Sequence, residues 1–133
     1  MIENQNRREI LLVDDDPDYS QLIRTRLEQS GYQVSCVSNG REALELLEGE
    51  YQPSLIIMDV DMPDKNGLTT LINMGAQQKI KGENERSKIP VIVATGFESE
   101  RVRKVIMTQK VSGYLMKPYD SEELIRTVKK LIG

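Results

Sequence analysis

An alternation restricts this fold more than any other feature of the chain. Five short apolar runs, ILLV (10–13), VSCV (34–37), LIIM (55–58), PVIVA (90–94) and GYLM (113–116), are separated by segments of helical periodicity. The runs at 10–13, 55–58 and 91–94 lack polar–apolar alternation, as expected of strands covered on both faces. Between the runs, apolar residues recur at helical spacing. The stripes are Tyr19, Leu22, Ile23 and Leu27; Ala43, Leu44 and Leu47; and Leu68, Leu71 and Ile72, continued by Gly75 and Ala76. Val102, Val105 and Ile106 form a fourth, and Leu124, Val128, Leu131 and Ile132 a fifth. Such stripes are read as core-facing surfaces. Strand followed by helix, five times over, specifies an α/β fold: a doubly wound five-stranded parallel sheet with helices on both faces.

Local punctuation agrees. Asp16-Pro17 reads as an N-cap with proline at the first helical position. Gly31 stands where a helix-ending glycine belongs. Asp120 with Glu123 has capping-box spacing before the last helix, and Ser38-Asn39 reads as a cap. The polar stretch KIKGENERSK (79–88) is expected to be a solvated loop. At 133 residues the chain fits one domain over 1–133, able to bury about two-thirds of its unfolded surface.

Composition narrows the chemistry. There is no histidine, which removes Ser-His-Asp and Cys-His catalysis and every His-ligated metal. The single cysteine, Cys36, excludes an internal disulfide and is expected to be a small buried residue. A net charge of -3 argues against direct nucleic-acid binding. Neither a signal-like segment nor a membrane-spanning run is visible, so a cytoplasmic location is expected. Chemistry must therefore run on carboxylates, hydroxyls and lysine.

In an open parallel sheet, ligands bind beyond the carboxyl ends of the strands. The first strand ends in Asp14-Asp15, the third in Asp59, the fourth in Thr95 and the fifth in Lys117. Three carboxylates, a hydroxyl and an ammonium thus converge on one rim. Gathered carboxylates repel one another unless a cation is shared. Mg²⁺ suits that need, since it takes oxygen ligands and is held by one or two carboxylates beside a phosphoryl oxygen. Lys117 and Thr95 would then contact the anion, and an Asp can form an acyl-phosphate. Asp16 and Asp18 read instead as the cap and first turn of the following helix.

With these motifs in place, the chain resembles the response regulator receiver domains of two-component signalling, of the single-domain chemotaxis and sporulation kind. The likeness spans about residues 8–132. It is carried by ILLVDDD, LIIMDVDMPDKNG, PVIVAT and GYLMKP in that order. The resemblance implies a flavodoxin-like (βα)5 sheet of strand order 2-1-3-4-5. It implies Asp59 as phosphoacceptor, Asp14 and Asp15 as Mg²⁺ holders, and Asp61 as a metal ligand through its backbone carbonyl. Thr95 and Lys117 would contact the phosphoryl oxygens. Tyr114 would be the aromatic that changes rotamer when Thr95 moves. The Lys117–Pro118 bond would be cis, aiming the lysine inward. Implied partners are a sensor histidine kinase or phosphotransfer protein and a downstream effector or fused output domain. Receivers can also pair as homodimers through the face around the fifth strand. Such a domain is no conventional enzyme and catalyses only its own phosphorylation and dephosphorylation.

Departures from the family pattern are Gly96 after Thr95, Lys110-Val111, and the length of the 79–88 segment. Arg101, Arg103 and Lys104 read as a solvated helix face. One competing function is a haloacid-dehalogenase-like phosphatase, with Asp59 as nucleophile and Asp61 as general acid/base. Against it, the Asp-x-Asp follows the third strand, and the acid pair precedes it.

Overall fold

The computed structural model describes residues 8–61, 69–74, 89–96, 100–109 and 111–133. Leu68, Gly75, Ala76, Lys110 and the 79–88 segment lie outside the described residues. The strands are β1 (Glu9–Val13), β2 (Gln33–Val37), β3 (Leu55–Asp59), β4 (Val91–Thr95) and β5 (Gly113–Met116). The helices are α1 (Pro17–Gln29), α2 (Gly40–Glu48), α3 (69–74), α4 (Glu100–Thr108) and α5 (Ser121–Ile132). All strands pair in parallel, in the order β2-β1-β3-β4-β5. The expected fold is therefore the observed one, with strand ends shifted by one residue at most. Asp59 and Thr95 join the ladder, opposite Ala94 and Met116, because backbone pairing is indifferent to side-chain polarity.

Each strand sends alternate side chains to opposite faces. One series, Ile10, Leu12, Val34, Leu55, Ile57, Ile92 and Leu115, packs against Ile23 and Leu27 of α1 and Leu124 and Val128 of α5. The other, Leu11, Val13, Ile56, Met58 and Val93, packs against Ala43, Leu47, Leu71, Met74 and Ile106 of α2, α3 and α4. Fully burying a side chain of this size contributes about 1.5–3 kcal/mol relative to exposure. Two such layers explain why the inner strands read as unbroken apolar runs. Among the described residues no helix is long and apolar enough to cross a membrane.

The caps fall where the sequence put them. Asp16 accepts from the amides of Asp18 and Tyr19, with Pro17 opening α1. Asn39 and Asp120 cap α2 and α5 through Glu42 and Glu123. Gly31 has φ +101°. It closes α1 with Gly31 N–H to Glu28 and Tyr32 N–H to Leu27, which a left-handed residue makes possible.

Cys36 corrects an expectation: it is exposed, not buried. It lies on the edge strand β2, two residues beyond Val34 on the same face. The helix cover that buries Val34 does not extend over it.

Gly40 opens α2 against Thr70, with no room for a side chain: an added Cβ would overlap the Thr70 hydroxyl and lie 2.8 Å from its Cβ. Gly40→Ala is expected to destabilise by about 1–3 kcal/mol in urea unfolding. Thr70→Ala should restore part of that loss in the double variant, which an independent site would not do.

Candidate functional site

The site grows from the exits of β1, β3, β4 and β5. After Val13, the Asp14 amide extends the ladder to the Val37 carbonyl. The Asp14 carboxylate then turns the chain by accepting the Asp16 amide at 2.9 Å. Asp16 in turn caps α1. The acidic tripeptide thus divides: Asp14 points into the site, Asp15 lies at its exposed margin, and Asp16 serves the helix. At the end of β3, Asp59 Oδ1 accepts the Asp61 amide at 2.8 Å. The Lys117 amide donates to the Thr95 carbonyl at 2.9 Å, fixing the exit of β5 beside that of β4. The Lys117–Pro118 peptide is cis, as the resemblance implied.

Side-chain parity selects what meets. Asp14, Asp59 and Lys117 continue the series of Leu12, Ile57 and Leu115, so all three project on the α1/α5 side. There the Lys117 ammonium lies 2.9 Å from Asp59 Oδ1. Carboxylate oxygens of Asp14, Asp15 and Asp59 lie within 4.8 Å of one another. Thr95 belongs to the opposite series, with Val93, and Tyr114 pairs with Val93 on that same face. The Thr95 side chain is fully enclosed, and its hydroxyl donates to Asp61 Oδ1 at 2.6 Å. Asp61 Oδ2 accepts the Gly96 amide and stands 3.7 Å from the Lys117 ammonium. Asp61 therefore enters the site through its side chain, as acceptor for Thr95 and Gly96, a partnership its sequence position did not signal.

Tyr114 is half-buried, and the Arg103 guanidinium sits 5.8 Å from its ring centroid. Arg103 is thus both on a solvated face, as expected, and over an aromatic ring. Among the described residues, an alanine Cβ at Gly96 would make only ordinary contacts, of 3.5 and 3.6 Å with Asp61 and Lys117.

Sequence reasoning missed the opposite wall. Tyr19, Pro118 and Tyr119 line the same depression as the acids. The two tyrosine rings meet edge to face, with centroids 5.9 Å apart. Tyr19 follows the acidic turn at helical spacing and Tyr119 follows Lys117-Pro118. That adjacency was the available signal, but Tyr19 also fitted a core stripe.

The electrostatics are those of an under-neutralised pocket. Burial pushes the Asp14 carboxyl up to about 6; the Asp16 amide opposes this and the charge of Asp59 adds to it. Burial also draws the Lys117 ammonium down, but its hydrogen bond to Asp59 and the charges of Asp59, Asp61 and Asp14 outweigh that and hold it above its usual range. Among the described residues, one ammonium faces four carboxylates. The donor set, all hard oxygens with one acid reluctant to ionise, fits a hard divalent cation such as Mg²⁺. Asp14, Asp15 and Asp59 would hold it.

An acid-lined pocket at the carboxyl edge of a doubly wound parallel sheet, with a lysine against the central aspartate, defines a phosphoryl-handling α/β domain. The chain belongs to the response regulator receiver domain family, whose family model it matches over residues 10–129. It is 31% identical over 126 residues to the polar-differentiation response regulator DivK of Brucella anthropi, covering 95% of this chain and 97% of DivK. It is 33% identical over 123 residues to the transcriptional regulatory protein CpxR of Escherichia coli, covering 92% of this chain; it spans 48% of CpxR. Among solved structures, it is similar to the receiver domain of sensor histidine kinase PA1611 from Pseudomonas aeruginosa, solved with a magnesium ion coordinated in the active site cleft. The TM-score is 0.78 at 28% identity, covering 96% of this chain and 98% of that one. Receivers are phosphorylation-controlled signalling switches, not conventional enzymes. The comparisons give no support to the phosphatase alternative.

The raised Asp14 value sets a pH dependence. The fold disfavours the charged carboxylate, so stability contributed here is greatest below the ordinary value of 3.8 and is lost as pH rises to about 6. Asp14→Asn is expected to stabilise the protein at pH 7 in chelator by about 1–3 kcal/mol. The gain should vanish below about pH 4. Denaturant unfolding at both pH values checks this.

Proposed function

We propose that this chain is a single receiver domain in which Asp59 accepts a phosphoryl group from a phosphohistidine. The donor would be a sensor histidine kinase or a histidine phosphotransfer protein. The observation that carries this reading is the placement of Asp59. It is 5% exposed at the end of the central strand, with an ammonium at 2.9 Å and two further carboxylates within ligand reach.

The chemistry assigned to the residues is as follows. Among the described residues, the Asp61 amide and the Lys117 ammonium both engage Asp59 Oδ1, which presents Oδ2 for attack. A bond forms between this oxygen and phosphorus while the phosphorus–nitrogen bond breaks and the imidazole leaves with its electron pair. Lys117 offsets charge on the phosphoryl oxygens. A bound Mg²⁺, held by Asp14, Asp15, Asp59 and the Asp61 carbonyl, would neutralise the same charge. Water later cleaves the acyl-phosphate and releases inorganic phosphate, so the domain catalyses its own modification and reset. The magnesium ion in the PA1611 receiver supports the metal assignment.

The readout follows from Thr95 and Tyr114. A phosphoryl group on Asp59 replaces the carboxylate's single negative charge with about −2, a net change of about −1, and brings new acceptors, drawing Thr95 toward it. Tyr114, packed on the same face of the sheet, then repacks with α4 and β5. That change would be read by an effector protein or a fused output domain, and self-association through this face fits the same reading. The matches to transcriptional regulators support an effector role for such a domain. A cytoplasmic location suits these partners.

Incubation with Mg²⁺ and acetyl phosphate is expected to give one phosphoryl adduct by intact mass, absent in Asp59→Asn and in chelator. Multiple-turnover hydrolysis of unrelated phosphate esters, with no stable adduct, would sink the reading.

A further inference from the structure

We propose that the Asp61 carboxylate is an internal competitor of the phosphoryl group. In the unmodified protein it holds the donors that the modified Asp59 must recruit, and it sets how readily the switch turns. The inference rests on Asp59 as the phosphoacceptor.

The contacts define the competition. Asp61 takes the Thr95 hydroxyl on Oδ1 at 2.6 Å and the Gly96 amide on Oδ2. The Lys117 ammonium lies 3.7 Å away and is shared with Asp59. A hydroxyl carries one proton and an amide one N–H. Neither can serve a carboxylate and a phosphoryl oxygen at full strength together. The bonds to Asp61 are charge-assisted, the stronger class of hydrogen bond. The Asp61 side chain is only 18% exposed, so solvent weakens them little. Asp61 is also tied to Asp59 through its own amide, so competitor and acceptor sit two residues apart on one turn. A phosphoryl group on Asp59 must displace Asp61 from Thr95 before Thr95 can move, and like charge then drives the two anions apart.

The consequence is separable from metal binding. Any metal role of Asp61 runs through its backbone carbonyl, which side-chain substitution leaves in the chain. The side chain alone would set the threshold. A neutral residue here would leave Thr95 and Gly96 ready for the incoming anion.

The test uses beryllofluoride, a tetrahedral anion that caps an aspartate and cannot be hydrolysed as an acyl-phosphate is, at saturating Mg²⁺. Its affinity is measured calorimetrically for the wild type, Asp61→Asn and Asp61→Ala. The Gly96 amide proton is followed by NMR. Asp61→Ala is expected to bind beryllofluoride about tenfold tighter, with Asp61→Asn between it and the wild type. The Gly96 amide proton should move upfield in both variants without ligand. On a Thr95→Val background the gain from Asp61→Ala should shrink, because one contested donor is gone. Unchanged or weaker affinity in both variants overturns the competition, and so does an undiminished gain on the Thr95→Val background. A wild type that binds no beryllofluoride and takes no adduct at Asp59 fails the phosphoacceptor reading instead.

Discussion

The structure turns on how the charge of Asp59 is held at the end of the central strand. A carboxylate buried there without a partner would cost several kcal/mol. The Lys117 ammonium, brought alongside by the β4–β5 ladder, offsets that cost. It does so incompletely, because Asp14 and Asp15 crowd the same space and Asp14 resists ionisation. Among the described residues the pocket therefore carries more negative than positive charge.

The sheet is what makes so small a cluster reproducible. Parallel pairing brings four strand exits to one edge, and parity decides which side chains face one another. Asp14, Asp59 and Lys117 share the α1/α5 face because each stands two residues beyond a core residue of that face: Leu12, Ile57 and Leu115. A one-residue slip in any strand would carry its polar residue to the other face. Burial of Ile57 and Leu115 thus guards the register on which the ion pair depends. Stability and site geometry rest on the same contacts.

Most of this architecture was legible in the sequence for a physical reason. Strands covered on both faces must be continuously apolar, so LIIM and ILLV announce their location. The polar residue ending each run announces the rim. The caps at Asp16, Asn39 and Asp120 were equally readable, since they act within three residues. Legibility failed where the deciding neighbour is distant in sequence. Cys36 reads as a buried residue until the edge position of β2 is known. Nothing in MDVD says that the Asp61 carboxylate meets Thr95, 34 residues later. The stacking of Arg103 over Tyr114 and the closeness of Gly40 to Thr70 likewise depend on how helices lie across the sheet.

Thr95 touches both faces of the sheet. Its backbone lies in β4 between Asp59 and Lys117, while its side chain belongs to the face of Val93 and Tyr114. On the proposed reading, a change in what its hydroxyl bonds would be a change on the α4 side of the sheet, although the charge that causes it would sit on the α1/α5 side. Arg103 adds a second influence there, since a cation over the Tyr114 ring favours the ring position that keeps it covered. The aromatic has Arg103 beside its ring, while the hydroxyl that the proposed switch would move is bonded to Asp61. Two restraints in series, about 0.5–1 kcal/mol for the cation over the ring and about 1.5–3 kcal/mol for the hydrogen bond to a carboxylate, suit the proposed switch, which must be stable at rest yet turn for a single added anion.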